Sequence, residues 1–357
     1  MPPPVTGYSY ITARMIETLG ENADVEAINI SPPNRLGPSK HLHKGWQVLR
    51  ACWRIATNSR RTTVAYFGCE GDWGLIYTAG LVMSARLFGY TIFLHHHSFS
   101  YIDRWSALMR LILSAGRKRT RHIFLCATMR DRFELQYGRI DDCRIVSNAA
   151  FVDPSSMLKE DAPLPGPLRL GLLSNLGREK GLYIFIDLLR ALRQCGVNVR
   201  GVLAGPIAKE EDRVNVTAAE SELDGALQYI GPVYGEAKDR FYRDLDVFVF
   251  PTVYPNEAQP TVLFEALAAG NRIIAYDRGC IRSQVGKVGL AIATTEDFCL
   301  RASAYLAEQQ QNSISTSSRE TIVCEFRELK STALLSVATL MADSGHSRFS
   351  SHLGCCS

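Results

Sequence analysis

The amino-acid sequence predicts an α/β chain of two doubly wound domains facing a cleft. Short apolar, β-rich runs alternate with helix-length segments along its length, the order that builds parallel sheets covered on both faces. The alternation breaks at a proline-rich stretch over residues 154–167 and then restarts. At 357 residues the chain is long enough for two cores of ordinary size. The expected division is a first domain over residues 1–153, a linker over 154–167, a second domain over 168–343 and a frayed tail over 344–357.

Taken in order, the first domain reads as a helix over 10–19, a short strand over 24–30 and a helix over 41–57. That second helix carries Trp46, Leu49 and Trp53 on one stripe. A strand over 63–67, a largely buried helix over 73–88 and a strand over 90–95 follow. Next come a helix over 101–115, a strand over 122–126, a helix over 129–137 and a strand near 144–146. The second domain reads as a strand over 168–173, a helix over 181–194, a strand over 199–203 and a charged helix over 210–223. A strand over 227–230, a helix over 236–243, an apolar strand over 247–250 and a helix over 261–269 lead to a strand over 272–276. Two final helices fall near 295–310 and 318–342. The stretch Pro2-Pro3-Pro4-Val5-Thr6-Gly7 reads as a loop between a strand and a helix, yet no strand precedes it. The first strand of the sheet is therefore expected to be missing, because translation starts upstream or because the product is truncated.

Composition narrows the function. Hydrophobic residues at 46% and charged residues at 21% are those of a soluble globular protein. Met1 is followed by three prolines, which is no signal peptide, and the most apolar long segment, 75–94, is interrupted by Arg86 and Gly89. The ten cysteines form no C-x-x-C pair, which suggests neither a zinc site nor a redox pair and fits a reducing cytosol. The net charge of +4 comes from a cationic excess in the first half. No basic surface interleaved with aromatics appears, so no nucleic-acid partner is expected. No G-x-G-x-x-G follows a strand and no G-x-x-x-x-G-K-[ST] occurs, which removes the dehydrogenase and P-loop readings.

Two turns in the second domain carry chemistry. Residues 246–270 run from the apolar strand through Pro251, Pro255 and Pro260 into a helix closed by Gly270, with Glu257 in the loop and Glu265 in the helix. A helix start at a strand end offers backbone amides and partial positive charge to a phosphate, and nearby carboxylates can accept hydrogen bonds from sugar hydroxyls. Residues 172–181 repeat the arrangement and add Arg178 and Lys180, cations suited to a diphosphate. The alternatives are a surface glutamate, a helix-dipole glutamate and a solvated charged turn. Two such turns in one sheet converging on one anionic, hydroxyl-rich ligand weigh against them.

The ordered set of motifs resembles the retaining family 4 glycosyltransferases of GT-B fold, those of bacterial polysaccharide and lipopolysaccharide assembly. The matching residues are Glu179-Lys180-Gly181, Glu257 and Glu265 with seven residues between them, and Glu265-Ala266-Leu267-Ala268-Ala269-Gly270. The turns Ala204-Gly205-Pro206 and Ile230-Gly231-Pro232, the first loop ending at Gly7, and Val146-Ser147-Asn148 complete a likeness that runs from residue 2 to residue 295. It implies two Rossmann-like domains, a nucleotide-sugar donor, a glycan or lipid-linked acceptor, and neither metal nor other cofactor. It also implies roles. Lys180, with Arg178 near it, contacts the donor phosphates, Glu265 the ribose and Glu257 the transferred sugar, together with the amides of Ala258, Pro260's loop and Thr261. Gly7 lets the first loop approach the diphosphate, Gly205 of the strand-end turn belongs to the donor site, and His97 faces the donor sugar. Many members have a Gly-Arg pair where this sequence has Ser174-Asn175.

Two further features have competing readings. His95-His96-His97 suggests a metal, but successive side chains on a strand point to opposite faces and cannot converge. Residues 105–122 pair an apolar stripe (Trp105, Leu108, Met109, Leu111, Ile112) with Arg117, Lys118, Arg119 and Arg121. The stripe reads as core, and the basic cluster reads either as the cationic end of a helix or as peripheral contact with an anionic membrane. The expectation is a cytoplasmic glycosyltransferase, with attachment to the inner face of the membrane as the extension. Its rival is a truncated or impaired GT-B protein that binds nucleotide sugar without turnover.

Overall fold

The computed structural model describes residues 7–21, 25–30, 39–59, 64–153, 166–311 and 316–343. The linker up to residue 165, the tail from 344 and the loop before Gly7 lie outside them. The chain divides into two compact units, Met1–Phe151 with Thr332–Ser357, and Val152–Ser331.

The first unit contains α1 (Gly7–Gly20), α2 (Ser39–Asn58), β1 (Val64–Cys69), α3 (Gly74–Leu87), β2 (Thr91–His96), α4 (Ser100–Asp103), α5 (Ala107–Gly116), β3 (Thr120–Phe124), α6 (Ala127–Tyr137) and β4 (Cys143–Ile145). Its strands form a parallel sheet in the order β1-β2-β3-β4. Ile92, Leu94, Phe99, Phe124 and Phe133 fill its core. Residues 25–30 join no sheet, which corrects the strand expected over 24–30 (residue 24 lies outside the described residues). A strand exists only by pairing, and an apolar-polar alternation of that length does not supply a partner. The helix expected over 101–115 is two helices. Arg104 is extended (φ −131°, ψ 130°), and Ser106 caps α5 by accepting from the Met109 amide at 3.4 Å.

The second unit contains β5 (Leu168–Leu173), α7 (Leu182–Gln194), β6 (Val199–Ala204), α8 (Glu210–Glu222), β7 (Leu227–Tyr229), α9 (Glu236–Arg243), β8 (Val247–Phe250), α10 (Thr261–Ala268), β9 (Arg272–Tyr276), α11 (Ile281–Val285), β10 (Leu290–Ile292), α12 (Phe298–Gln311) and the first part of α13 (Thr316–Asp343). Its sheet is parallel with the order β10-β9-β8-β5-β6-β7. The succession runs one way from β5 to β7 and the other way from β8 to β10. The order therefore reverses between β5 and β8, the place where an open α/β sheet leaves a crevice beyond its strand ends. The β8 side chains are all buried, as the run Val247–Phe250 requires for a strand covered on both faces.

The units part inside α13, with the stretch from Thr332 grouped in the first unit. The sequence places that boundary at 343 instead. A helix that passes from one core to another keeps its 3.6-residue period throughout and gives no compositional sign of the change.

Candidate functional site

The loops after β5 and β8, the two strands at the reversal, are tied together. The amide of Val253 donates to the Glu179 carbonyl at 2.9 Å, and the hydroxyl of Thr252 lies 3.4 Å from the same oxygen. Gly181, at φ +82°, passes so close to Pro251 that a Cβ there would lie 2.3 Å from the Pro251 carbonyl oxygen. Only glycine meets both the left-handed conformation and that approach. This holds the short turn Arg178–Lys180 against the β8–α10 loop.

Lys180 and Glu257 form an ion pair across the two loops, Nζ to Oε2 at 2.7 Å. Thr252 donates to the same carboxylate oxygen at 3.1 Å, and the ammonium sits 4.3 Å from the centre of the Tyr254 ring. Lys180 thus faces a carboxylate and a π face together. Arg178 is exposed and lies over the Tyr183 ring at 4.8 Å, while the Tyr183 hydroxyl donates to Asp212 at 2.5 Å. Neither Thr252, Tyr254 nor Tyr183 stands out in the sequence. A lone threonine or tyrosine carries no periodic or motif signal, and the reach of Thr252 to Glu179 across 73 residues appears only on folding.

The turn into α10 is held from the far side. Cys280 donates its amide to the Ala258 carbonyl at 2.8 Å, and the Gln284 side chain donates to the Pro260 carbonyl at 2.9 Å. Pro260 is the residue before the helix, extended at φ −64° and ψ 126°, with no side-chain cap. The amides of Thr261 and Val262 thus have no acceptor within the helix and point with its positive end out of the turn. Ala258 is buried and Thr261 half-buried.

Glu265 is 7% exposed and engaged on both oxygens: Lys238 of α9 reaches Oε1 at 2.8 Å and the Tyr242 hydroxyl donates to Oε2 at 2.8 Å. Burial, and next the Glu265 charge, raise the Tyr242 pKa well above its usual value, so the phenol remains the donor. The carboxylate keeps lone pairs for further donors. Lys238 and Tyr242, four residues apart on one helix face, are missed by motif reading; their i, i+4 spacing opposite a buried glutamate is the only available clue. Gly205 has a structural reason of its own. At φ +121° its Cβ would stand 1.9 Å from the Ser174 carbonyl oxygen, so the ends of β5 and β6 close on each other there.

The other two expected site residues belong to the first unit. Gly7 begins α1. His97 follows β2, with its amide 3.4 Å from the Cys69 carbonyl, its ring 4.0 Å from that of His95, and its pKa pulled down to about 3 by desolvation. His96 points the other way, its Nε2 2.9 Å from His122 Nδ1 and its Nδ1 2.9 Å from the Tyr101 hydroxyl. The three consecutive histidines therefore split between two faces. Among the described residues no three His, Cys, Asp or Glu side chains gather in an arrangement that could hold a metal ion.

Residues 159–314 match the family model described as glycosyl transferases group 1. No curated protein matches the chain in sequence. Solved structures do match in fold. The Anabaena protein HepE in complex with UDP-glucose has a TM-score of 0.65 at 16% identity, over 98% of this chain and 98% of that one. A sucrose-phosphate synthase from Thermosynechococcus elongatus has 0.70 at 14%, over 95% and 92%. A glycosyltransferase from Rickettsia africae has 0.63 at 12%, over 96% of each. The fold is GT-B. The matched segment is similar to the group 1 glycosyl transferases, whose activity class is glycosyl transfer. Among the described residues no helix is long and apolar enough to cross a membrane.

Proposed function

We propose that the chain moves a sugar from a nucleotide-sugar donor to a glycan or lipid-linked acceptor with retention, as the family 4 enzymes that it resembles do in cell-surface glycan assembly. The observation that carries the reading is the Lys180–Glu257 pair beside the start of α10, where the strand order of the second sheet reverses. A nucleoside diphosphate leaving this place gains negative charge. Lys180, Arg178 and the amides of Thr261 and Val262 offset it, as fixed donors aimed at developing charge. Glu257, displaced from Lys180 by the phosphates, accepts from hydroxyls of the transferred sugar, and Glu265 accepts from the ribose. The described residues supply no separate nucleophile in the second-unit site, and the leaving phosphate takes the acceptor's proton as the acceptor attacks on the same face. The UDP-glucose held by the HepE structure makes UDP-sugars the first donors to try.

The rival, a protein that holds nucleotide sugar without turnover, draws on Asn175, which is exposed where many of the resembled enzymes have arginine. The deciding experiment supplies a panel of nucleotide sugars and measures release of nucleoside diphosphate. Turnover with one of them, lowered about a hundredfold or more by Lys180→Ala and by Glu257→Ala, is the expected result. Binding of a donor without release favours the rival, and turnover indifferent to both substitutions removes the site assignment.

A further inference from the structure

All four tryptophans of the chain lie in the first unit and are exposed: Trp46 57%, Trp53 62%, Trp73 75% and Trp105 59%. A tryptophan ordinarily buries most of its ring, and exposed tryptophans beside one another on one face mark a surface that meets something apolar. Two of them belong to a continuous stripe. On α2 the outward residues Leu42 (78%), Trp46, Leu49 (70%) and Trp53 recur at helical spacing, while Val48, Ala51 and Ile55 face inward. The stripe that the sequence marks as the apolar side of α2 is thus the side turned to solvent.

The stripe ends beside a second exposed group. The Tyr90 hydroxyl donates to the Ile55 carbonyl at 2.9 Å, which sets the C-terminal end of α2 at the end of α3, where Leu87 is 79% exposed. The Arg119 guanidinium donates to the Gly89 carbonyl, bringing the exposed basic turn Arg117-Lys118-Arg119 to the same place. Charge is one-sided throughout. The segments of α2, α3 and α5 contain no aspartate or glutamate. Two acids that reach α2 are engaged, Glu26 with Arg54 at 3.0 Å and Glu70 with Lys44, while Arg50 of the same helix is exposed.

We infer that the outward face of α2, with the end of α3 and the turn Arg117–Arg119, seats on an anionic lipid surface. A 20-residue amphipathic helix with tryptophan and leucine on one side, basic residues along it and no acid is suited to lie in the headgroup layer. Tryptophan favours that depth, and each basic side chain near an anionic leaflet strengthens attachment by about fivefold. A protein partner would need acids of its own to meet this face and would gain nothing from lipid. The inference deepens the lipid-linked acceptor of the proposed function and rests on that reading for its purpose. Lipid binding is measured without transfer, so the two fail separately.

The test is flotation of the full chain with vesicles of equal phosphatidylcholine and phosphatidylglycerol, against phosphatidylcholine alone. The expected result is flotation on the anionic vesicles, weakened about tenfold by the double variant W46S/W53S and about a hundredfold by R117Q/K118Q/R119Q, with tryptophan emission shifting to the blue on binding. Both variants alter exposed side chains, and an unchanged thermal transition shows that each is folded. Absence of flotation, equal flotation on neutral vesicles, or a folded W46S/W53S that floats like the parent overturns the inference. Self-association lost in W46S/W53S, without vesicle binding, assigns the face to a second copy and overturns it too.

Discussion

At the scale of single residues, the second-unit site is built from two carboxylates and a lysine, Lys180, that the sequence marks, and from a second lysine, Lys238, and hydroxyls that it does not. Glu257 and Glu265 are visible because a motif spaces them. Their partners are set by the fold: Lys180 from the β5–α7 turn and Thr252 from the same loop for the first, Lys238 and Tyr242 of α9 for the second. Tyr242 is the more informative of these. Its ring is fully buried, and its hydroxyl serves one oxygen of a carboxylate that is itself 7% exposed. Tyr242→Phe leaves the packing in place and takes away a hydrogen bond to a charge. The expected cost is about 1.5–3 kcal/mol, read as a lower denaturant midpoint with an unchanged slope. A cost near zero would mean that Lys238 alone satisfies Glu265. The same substitution should weaken donor binding, since Glu265 then has one anchor in place of two.

At the scale of elements, the strands of the second unit were legible because buried parallel strands are short apolar runs between turn residues, and β8 is the plainest of them. The small pair α11 and β10 was not, being too short to show a period. In the first unit the amphipathic period of α2 was legible but its direction was not. A helix with Val48, Ala51 and Ile55 on one side and Leu42, Trp46 and Trp53 on the other is apolar on both, and only packing decides which side turns in. What fastens elements is likewise a matter of tertiary contact. Asp246, just before β8, accepts from Arg169 of β5 at 3.1 and 3.0 Å and from Arg319 of α13 at 2.9 Å. It also accepts the Arg169 amide at 3.0 Å. One carboxylate, 14% exposed, thus joins two central strands and a helix and neutralises two largely buried guanidinium groups. Asp246→Ala leaves both without a counter-charge, at an expected cost of about 3–5 kcal/mol in urea unfolding. A loss below about 1 kcal/mol would show that the arginines swing into water.

At the scale of the whole molecule, acid should act on the first unit, because four buried or half-buried histidines stand there within 28 residues of one another. Desolvation lowers all four. His95 and His96 fall well below the ordinary 6.5, with neighbouring histidines adding to the effect, His97 falls to about 3 and His122 to about 4. The folded unit therefore holds them neutral at pH values where the unfolded chain protonates them. Below pH 6.5 the unfolded state binds more protons than the folded one, so stability falls as pH falls. The loss begins near pH 6.5, continues to about 4 for His122 and to about 3 for His97, and is absent at higher pH. Each histidine contributes a slope of about 1.4 kcal/mol per pH unit within its window. His96 and His122 are the pair to test, because they hydrogen-bond to each other at 2.9 Å and stack beside Phe124. Phenylalanine at both positions keeps two flat apolar rings and removes two titrating groups. Calorimetry between pH 7 and pH 4 should show the parent's melting temperature falling with acid, and H96F/H122F falling less steeply. Equal slopes in the two proteins would mean that these rings protonate in place, with water reaching the core of the first unit.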